Sequence, residues 1–352
     1  MESVTVSARS KSYYVHIGSG LLDCAGALSQ RPKGKAMVVS DSNVAPLYSS
    51  RVQASLKSAG FEPYLHVFPA GESSKCASTL FEILADMAKC RLTRKDTVFA
   101  LGGGVTGDLA GLAASLYMRG IGLVQLPTSL LSAVDSSVGG KTAIDLPEGK
   151  NLVGTFCQPD AVLCDLDVFS TLSSEQVANG FGEIVKTGVI RDARLFDASA
   201  ASSIDMKKLI SIVHRCIEIK RDVVRADEKE SGLRQILNFG HTFGHAIEKC
   251  SNFSIPHGFC VAIGMVLIAN ACVKHGICSE KTRNRIAAAL KARNLPVSTD
   301  LKEEELFSAM MSDKKRSSNS LTLILPLDIG VVERRKVSLE EARKFLADGL
   351  EG

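Results

Sequence analysis

Thr97-Val98-Phe99-Ala100-Leu101-Gly102-Gly103-Gly104-Val105-Thr106-Gly107-Asp108 is the stretch whose reading decides the fold. An apolar strand, T-V-F-A-L, runs straight into glycines. Gly102, Gly104 and Gly107 satisfy G-x-G-x-x-G directly after that strand and before a helical stretch, the context the pattern requires. Glycines let the backbone approach a pyrophosphate, whose charge a helix N-terminus favours. The other reading is a tight strand-to-helix turn with no ligand. The ordinary dinucleotide fingerprint also wants an acid about 20 residues on for the ribose, and 119–134 contains none. Asp41, closing a strand of its own, can hold a ribose instead.

Working outward, Ala36 to Ser40 and Tyr64 to Phe68 read as strands, and Gly122 to Leu126 as a further one. Val44 to Ala59 reads as a helix, and so does Ser73 to Lys89, with Leu80, Ile83, Leu84 and Met87 at helical spacing. Strands alternating with helices predict a mostly parallel sheet covered on both faces. Residues 160–255 then contain no proline, and Met206 to Val224 and Leu237 to Lys249 are long amphipathic stretches. Ser338-Leu339-Glu340-Glu341 is a capping box that opens a last helix. The expected architecture is an α/β N-terminal domain over 1–165 and an all-α C-terminal domain over 166–352.

Composition bounds the function. The chain has 352 residues, 45% hydrophobic and 23% charged, with a formal net charge of +4. That balance argues for a globular protein and against disorder. The densest basic stretches, Lys314-Lys315-Arg316 and Arg334-Arg335-Lys336, are short, so no nucleic-acid partner is expected. The longest apolar run, Phe259 to Ala269, is well short of the roughly 20 residues that span a bilayer, so no membrane partner is expected either. Met1-Glu2-Ser3-Val4 does not read as a secretory signal. The 10 cysteines are scattered singly and never form Cys-x-x-Cys, which fits reduced thiols in a cytoplasmic protein.

Polar islands carry the chemistry. Pro127-Thr128-Ser129-Leu130-Leu131 leads to Asp135, then Gly139-Gly140-Lys141-Thr142, then Lys150-Asn151. G-G-K-T resembles the tail of a P-loop, but Asp135 stands where that motif needs its first glycine. A lysine beside paired glycines still suits an anion. Gly182-Glu183-Ile184-Val185-Lys186 puts Glu183 and Lys186 on one helix face, where a plain ion pair is the alternative. The sharpest island is Arg234-Gln235-Ile236-Leu237-Asn238-Phe239-Gly240-His241-Thr242-Phe243-Gly244-His245-Ala246-Ile247-Glu248, followed by His257-Gly258. Of the 7 histidines, His241, His245, His257 and His275 cluster here. His241 and His245 are i, i+4 on one helix face, and two imidazoles with a carboxylate make a three-ligand catalytic metal arrangement. A core or surface His pair is the alternative; the glycines beside both, and a third histidine opening another helix at His257, favour metal.

Together these islands resemble the 3-dehydroquinate synthase family, within the sugar-phosphate cyclases. The motifs are G-G-G-V-T-G-D-L-A-G, M-R-G-I, P-T-S-L-L-S-A-V-D-S-S-V-G-G-K-T, K-N-L-V-G-T-F, G-E-I-V-K, L-R-Q-I-L-N-F-G-H-T-F-G-H-A-I-E, H-G-F-C-V-A-I-G-M and D-K-K, in the family's order. The resemblance implies an NAD-binding α/β domain and a helical metal domain with the active site in the cleft between them. It implies a phosphate-eliminating carbon–oxygen lyase of the shikimate pathway, which turns 3-deoxy-D-arabino-heptulosonate 7-phosphate into 3-dehydroquinate. The cofactors implied are NAD and a divalent metal, zinc or cobalt, and a homodimer is expected. Glu183, His241 and His257 are the implied metal ligands, with His245 on the substrate side. Asp41, Glu72, Lys75, Gly103, Gly104, Val105, Thr106, Gly107, Asp108, Thr128, Ser129, Lys141, Lys150, Phe169, Ser170 and Thr171 are implied to line the NAD site. Arg119, Asp135, Asn151, Lys186, Lys220, Arg234, Asn238 and Lys315 are implied to surround the substrate. Gly182, Ser129, Phe259 and Asn319 depart from the family pattern without removing a ligand or a cation.

Overall fold

The computed structural model describes residues 1–201, 203–314 and 320–352. The chain forms two compact units, Met1–Ser173 with Lys220–Lys229, and Ser174–Ile219 with Glu230–Gly352. The division thus falls eight residues beyond the expected boundary at 165, and a ten-residue segment of the later chain packs with the first unit.

The first unit is built on β1 (Glu2–Ser7), β2 (Ser12–Gly18), β3 (Lys35–Asp41), β4 (Glu62–Phe68), β5 (Thr97–Gly102), β6 (Gly122–Pro127), β7 (Lys141–Leu146), β8 (Gly149–Phe156) and β9 (Ala161–Asp165). Seven of these make one sheet in the order β1-β2-β9-β6-β5-β3-β4. Only the β1–β2 pairing within it is antiparallel. β5, β6 and β9 are buried at every position, as parallel strands covered on both faces must be, so they read as apolar runs without alternation. The helices Ala45–Ser58, Ala77–Lys89 and Gly104–Leu116 pack on this sheet. Met37, Val39, Val98, Ala100, Leu109 and Ile144 contribute to its core. β7 and β8 form a separate antiparallel hairpin.

The topology marks where a ligand belongs. From β3 the chain moves outward to β4, then returns to β5 on the opposite side of β3. Connections therefore leave β3 and β5 in opposite directions and open a crevice at the carboxyl ends of those two strands, the place where open α/β sheets bind ligands.

The second unit is helical, with one addition, the hairpin of β10 (Ser320–Asp328) and β11 (Val331–Ser338). Its helices include Ser174–Arg191, His241–Cys250, His257–Lys274 and Leu339–Leu350. The amphipathic stretch 237–249 is not a single helix. A 3-10 turn, Leu233–Asn238, leads to Gly240 at φ 78°, and the helix starts only at His241. That left-handed backbone suits glycine, and a Cβ there would lie 2.8 Å from the Val261 carbonyl oxygen. The capping box is formed as expected, with Ser338 Oγ accepting from Glu341 N–H at 3.1 Å and Glu341 accepting from Ser338 N–H at 2.7 Å. The apolar run at 259–269 extends into the 18-residue helix His257–Lys274, whose mean hydropathy of 1.6 and length would let it cross a membrane, but 78% of it is buried inside the protein. A helix apolar all round is here a core helix.

Candidate active site

The crevice of the first unit gathers most of the expected cofactor residues. Asp41 ends β3, and its Oδ1 accepts from the Asn43 and Val44 N–H groups at 2.9 and 3.0 Å. Its Oδ2 accepts from Thr106 Oγ1 at 3.3 Å, so the end of β3 is tied across the switch point to the helix after β5. Gly103, Gly104, Val105, Gly107 and Asp108 lie in the glycine turn and first turns of that helix, Gly104–Leu116. Thr128 donates its N–H to the Gly102 carbonyl at 2.9 Å, and Ser129 is held by Ser132 Oγ at 2.8 Å. Phe169, Ser170 and Thr171 occupy the 3-10 turn after β9, where Thr171 Oγ1 lies 2.7 Å from the Tyr48 hydroxyl. All of these sit at carboxyl ends of parallel strands.

A charged cluster flanks the crevice. Lys75 is 6% exposed; its Nζ lies 2.7 Å from Asp108 Oδ2 and donates to Asn151 Oδ1 at 2.5 Å. Lys150 pairs with Glu72 at 2.9 Å. Burial lowers the Lys75 pKa, but the carboxylates of Asp108 and Glu72 outweigh it and hold the ammonium charged. Burial pushes the Asp108 carboxyl up against the pull of Lys75. Asn151, expected beside the substrate, is thus brought to a cofactor-side lysine. Asp145, which the sequence did not point to, fixes it by accepting from the Asn151 N–H at 2.8 Å. Lys141 opens β7 as an exposed residue.

Two substrate-side candidates of this unit meet: Lys220, 6% exposed, donates to Asp135 Oδ1 at 2.8 Å and to the Asp135 carbonyl. Arg119 does not join them. It is exposed, at φ 67°, in the turn between the helix Gly104–Leu116 and β6. That 13-residue helix carries the chain about 20 Å back to the amino ends of the strands, so the length of the sheet separates Arg119 from the crevice. Lys315 lies outside the described residues.

The second unit holds the metal-type pocket. Glu183 sits mid-helix in Ser174–Arg191, whereas His241 and His257 are the first residues of their helices. What lets these three helices meet is glycine against backbone. A Cβ on Gly182 would lie 2.5 Å from the Gly258 carbonyl oxygen, one on Gly258 2.0 Å from that of Asn179, and one on Gly264 2.0 Å from that of Gly240. The departure at Gly182 thus has a packing reason, since no side chain fits there.

Ligand atoms of Glu183, His241 and His257 all lie within 4.8 Å of one another. Glu183 Oε1 is 3.4 Å from His257 Nε2 and 3.7 Å from His241 Nε2. Tetrahedral coordination with bonds of about 2.1 Å sets ligand atoms about 3.4 Å apart, so two imidazoles and a carboxylate here fit a zinc-type cation. His241 Nδ1 donates to the Phe239 carbonyl at 3.1 Å, which leaves Nε2 as the lone-pair nitrogen. Burial, reinforced by the Lys186 charge, holds the His241 pKa well below its ordinary value, so this ligand is neutral. For His257 burial lowers the pKa, but the Glu183 and Glu248 carboxylates outweigh it and lift it to about 9. Cation uptake at neutral pH therefore has to release a proton from His257.

Lys186 and Arg234 are each 1% exposed. Lys186 contacts the Glu183 carboxylate. Asn238 donates to Glu230 Oε1 at 2.7 Å. The exposed His245 stands with its ring 5.2 Å from that of His241 and 5.8 Å from that of His257. Two residues that sequence reasoning passed over are Glu230, which holds Asn238, and Glu248, beside His257 Nδ1 at 3.5 Å. The signal for Glu248 was present, because positions 241, 245 and 248 share one helix face.

With its nucleotide-type crevice and its Glu–His–His pocket, the chain falls among the sugar-phosphate cyclases. Residues 65–179 match the family model described as 3-dehydroquinate synthase N-terminal, and residues 180–316 match 3-dehydroquinate synthase C-terminal. The chain belongs to the 3-dehydroquinate synthase family. It is 41% identical over 343 residues to the 3-dehydroquinate synthase of Streptococcus sanguinis, covering 95% of this chain and 96% of that protein. Among solved structures, 2-deoxy-scyllo-inosose synthase complexed with carbaglucose-6-phosphate, NAD+ and Co2+ matches at TM-score 0.90 and 25% identity over 100% of both chains. The 2-epi-5-epi-valiolone synthase of Streptomyces hygroscopicus with NAD+ and Zn2+ bound matches at TM-score 0.88 and 29% identity over 98% of both.

Proposed function

We propose that the chain converts 3-deoxy-D-arabino-heptulosonate 7-phosphate into 3-dehydroquinate and phosphate, using NAD in the crevice of the first unit and a divalent cation, zinc or cobalt, at Glu183, His241 and His257. The observation that carries this reading is Lys186, a lysine 1% exposed, set against the carboxylate of a metal-type pocket. The single Glu183 carboxylate between them cannot neutralise both the buried ammonium and a divalent cation, so their joint charge favours a ligand that brings further negative charge. A substrate with a carboxylate and a phosphate supplies that charge, whereas a neutral polyol does not.

When bound, the cation supplies Lewis acidity at the substrate hydroxyls, and the dinucleotide supplies a hydride acceptor that is restored within the turnover. Lys186, Arg234 and Lys220 hold the anionic groups through charge-assisted hydrogen bonds. Asn238, fixed by Glu230, orients a hydroxyl. The Asp135 carboxylate keeps Lys220 charged and directed. His245, exposed and one turn beyond His241, stands on the open side of the pocket and exchanges protons with the substrate. Asp41 takes the ribose hydroxyls, and Gly103 to Gly107 take the pyrophosphate on backbone N–H groups. The cytoplasm is the proposed location, in keeping with the 10 free cysteines.

The test uses the purified protein with the heptulosonate phosphate, a divalent cation and a trace of NAD. Phosphate is expected to be released far beyond the NAD added, with no build-up of NADH absorbance. NADH rising in proportion to product would make the protein a dehydrogenase instead. Turnover of a different sugar phosphate in preference would make it a sister cyclase.

A further inference from the structure

The two histidines of the metal-type pocket are oriented by different means. His241 is fixed through Nδ1 by a backbone carbonyl, that of Phe239 at 3.1 Å. For His257 the Nδ1 instead faces a carboxylate, Glu248 Oε2 at 3.5 Å, while its Nε2 faces Glu183 Oε1 at 3.4 Å. The ring is thus placed between two carboxylates, one on each nitrogen. Glu248 is 3% exposed, so its carboxylate is held inside the protein on the Nδ1 side of the ring. It lies on the helix His241–Cys250, seven residues after His241, and so presents its carboxylate from the element that also supplies the other imidazole ligand.

We propose that Glu248 is a positioning residue of the metal pocket, taking the Nδ1–H of His257 so that Nε2 carries the lone pair aimed at the cation beside Glu183. This rests on the metal reading given above. A carboxylate behind an imidazole ligand fixes its tautomer and ring orientation and raises its basicity, and loss of such a partner weakens metal binding by about 10- to 100-fold. Glu248 also completes the charge count, since with Glu183 it sets two carboxylates against one divalent cation.

The geometry contains its own competitor. His245, Glu248 and His257 also gather ligand atoms within 4.8 Å, so Glu248 could itself be a ligand of a differently placed ion. The positioning role and the ligand role predict different variants.

The test is zinc affinity, measured by competition with a chromogenic chelator on wild type, Glu248→Gln, Glu248→Ala, Glu183→Gln and His245→Ala. Thermal unfolding of each metal-free variant checks the fold, and the visible spectrum of each cobalt-loaded form reports the ligand set. The expected result is an affinity about 10- to 100-fold weaker in Glu248→Ala, a smaller loss in Glu248→Gln, whose amide oxygen can still accept, and an unchanged cobalt coordination number. His245→Ala should bind zinc as wild type does. Equal affinity in Glu248→Ala and wild type overturns the proposal. So does loss of zinc in both Glu248→Gln and His245→Ala with retention in Glu183→Gln, which would make Glu248 a ligand. If wild type itself takes up no zinc, the metal reading fails first, and that outcome is distinguishable because no variant is needed to see it.

Discussion

The nucleotide crevice and the metal pocket are built on opposite principles. The crevice is made of chain turns at the carboxyl ends of strands, and its fixed points are side chain to side chain or side chain to backbone: Asp41 to Thr106, Lys75 to Asp108 and Asn151, Tyr48 to Thr171. The pocket is made of three side chains on helices whose backbones touch through Gly182, Gly258, Gly240 and Gly264. A crevice held by side chains can adjust when one is altered. A pocket held by backbone contact cannot, because interiors are close-packed and backbone does not yield. The difference sets the order of the effects expected from substitution.

The largest effect belongs to the ligands. His241→Ala removes one of three donors from a pocket whose remaining two cannot close a tetrahedral site. Metal analysis after dialysis should find a stoichiometric cation in wild type and essentially none in this variant. Full occupancy in His241→Ala would remove His241 from the ligand set and break the comparison at its root.

Next comes the backbone contact that aligns the ligands. A methyl group on Gly258 would lie 2.0 Å from the Asn179 carbonyl oxygen, so Gly258→Ala must push two helices apart. Overpacking of this kind costs about 1–3 kcal/mol. Because the next residue toward the N-terminus is His257, zinc affinity should fall with the melting temperature. A lower melting temperature with unchanged zinc affinity would show that the pocket adjusts after all.

The contrast between the regions also explains what the sequence could say. The strands β3, β5 and β6 and the glycine turn were legible because buried parallel strands are uninterrupted apolar runs and the turn follows one of them directly. β9 carries the same signal, an apolar run buried at every position, but it was not read as a strand, and β1 and β2 carry a weaker one. β1 is short, with only Val4 and Val6 buried, and it is stabilised by pairing rather than by its own composition. The break at Gly240 was hidden because the pattern around it is amphipathic on both sides, and only the helix packed against it requires a left-handed turn. Local spacing offered His241 with His245; it was the resemblance that offered His257 in place of His245, since a contact between two helix starts leaves no periodic trace. Glu248 and Asp145 were passed over because each acts through another residue. Arg119 was assigned by motif alone, and a motif carries no information on which end of a sheet it reaches.

A smaller effect, confined to the crevice, is expected from the glycine turn. The three glycines there are not equivalent. A Cβ on Gly102 would lie 2.3 Å from Thr106 Oγ1, whereas one on Gly104 would lie 3.3 Å from the rotatable Ser136 Oγ. Gly104→Val should therefore keep the fold and weaken NAD binding by tenfold or more, about 1.4 kcal/mol, as calorimetry would read it. Gly102→Ala should lower the melting temperature. Zinc affinity should be unchanged in Gly104→Val. If Gly104→Val binds NAD as wild type does, the turn is a structural feature only, and the crevice loses its main claim to the pyrophosphate.

The smallest effect tests whether the pocket's rigidity is local to its glycines or a property of the whole helical unit. Ser338 caps the helix Leu339–Leu350 by accepting from the Glu341 N–H at 3.1 Å, and Glu341 accepts in return from the Ser338 N–H at 2.7 Å. The helix packs on His257–Lys274, and a Cβ on its Gly349 would lie 2.5 Å from the Leu267 carbonyl oxygen, so it braces the helix that His257 opens. Ser338→Ala removes one cap bond at an exposed end, worth about 1 kcal/mol, and should lower the melting temperature by a few degrees. If ligand geometry is set by the contacts at Gly182 and Gly258, zinc and NAD affinities stay at their wild-type values. A zinc affinity that falls along with the melting temperature would mean that the pocket draws its shape from the entire helical unit, and the contrast drawn between yielding crevice and fixed pocket would have to be restated as one between two whole units.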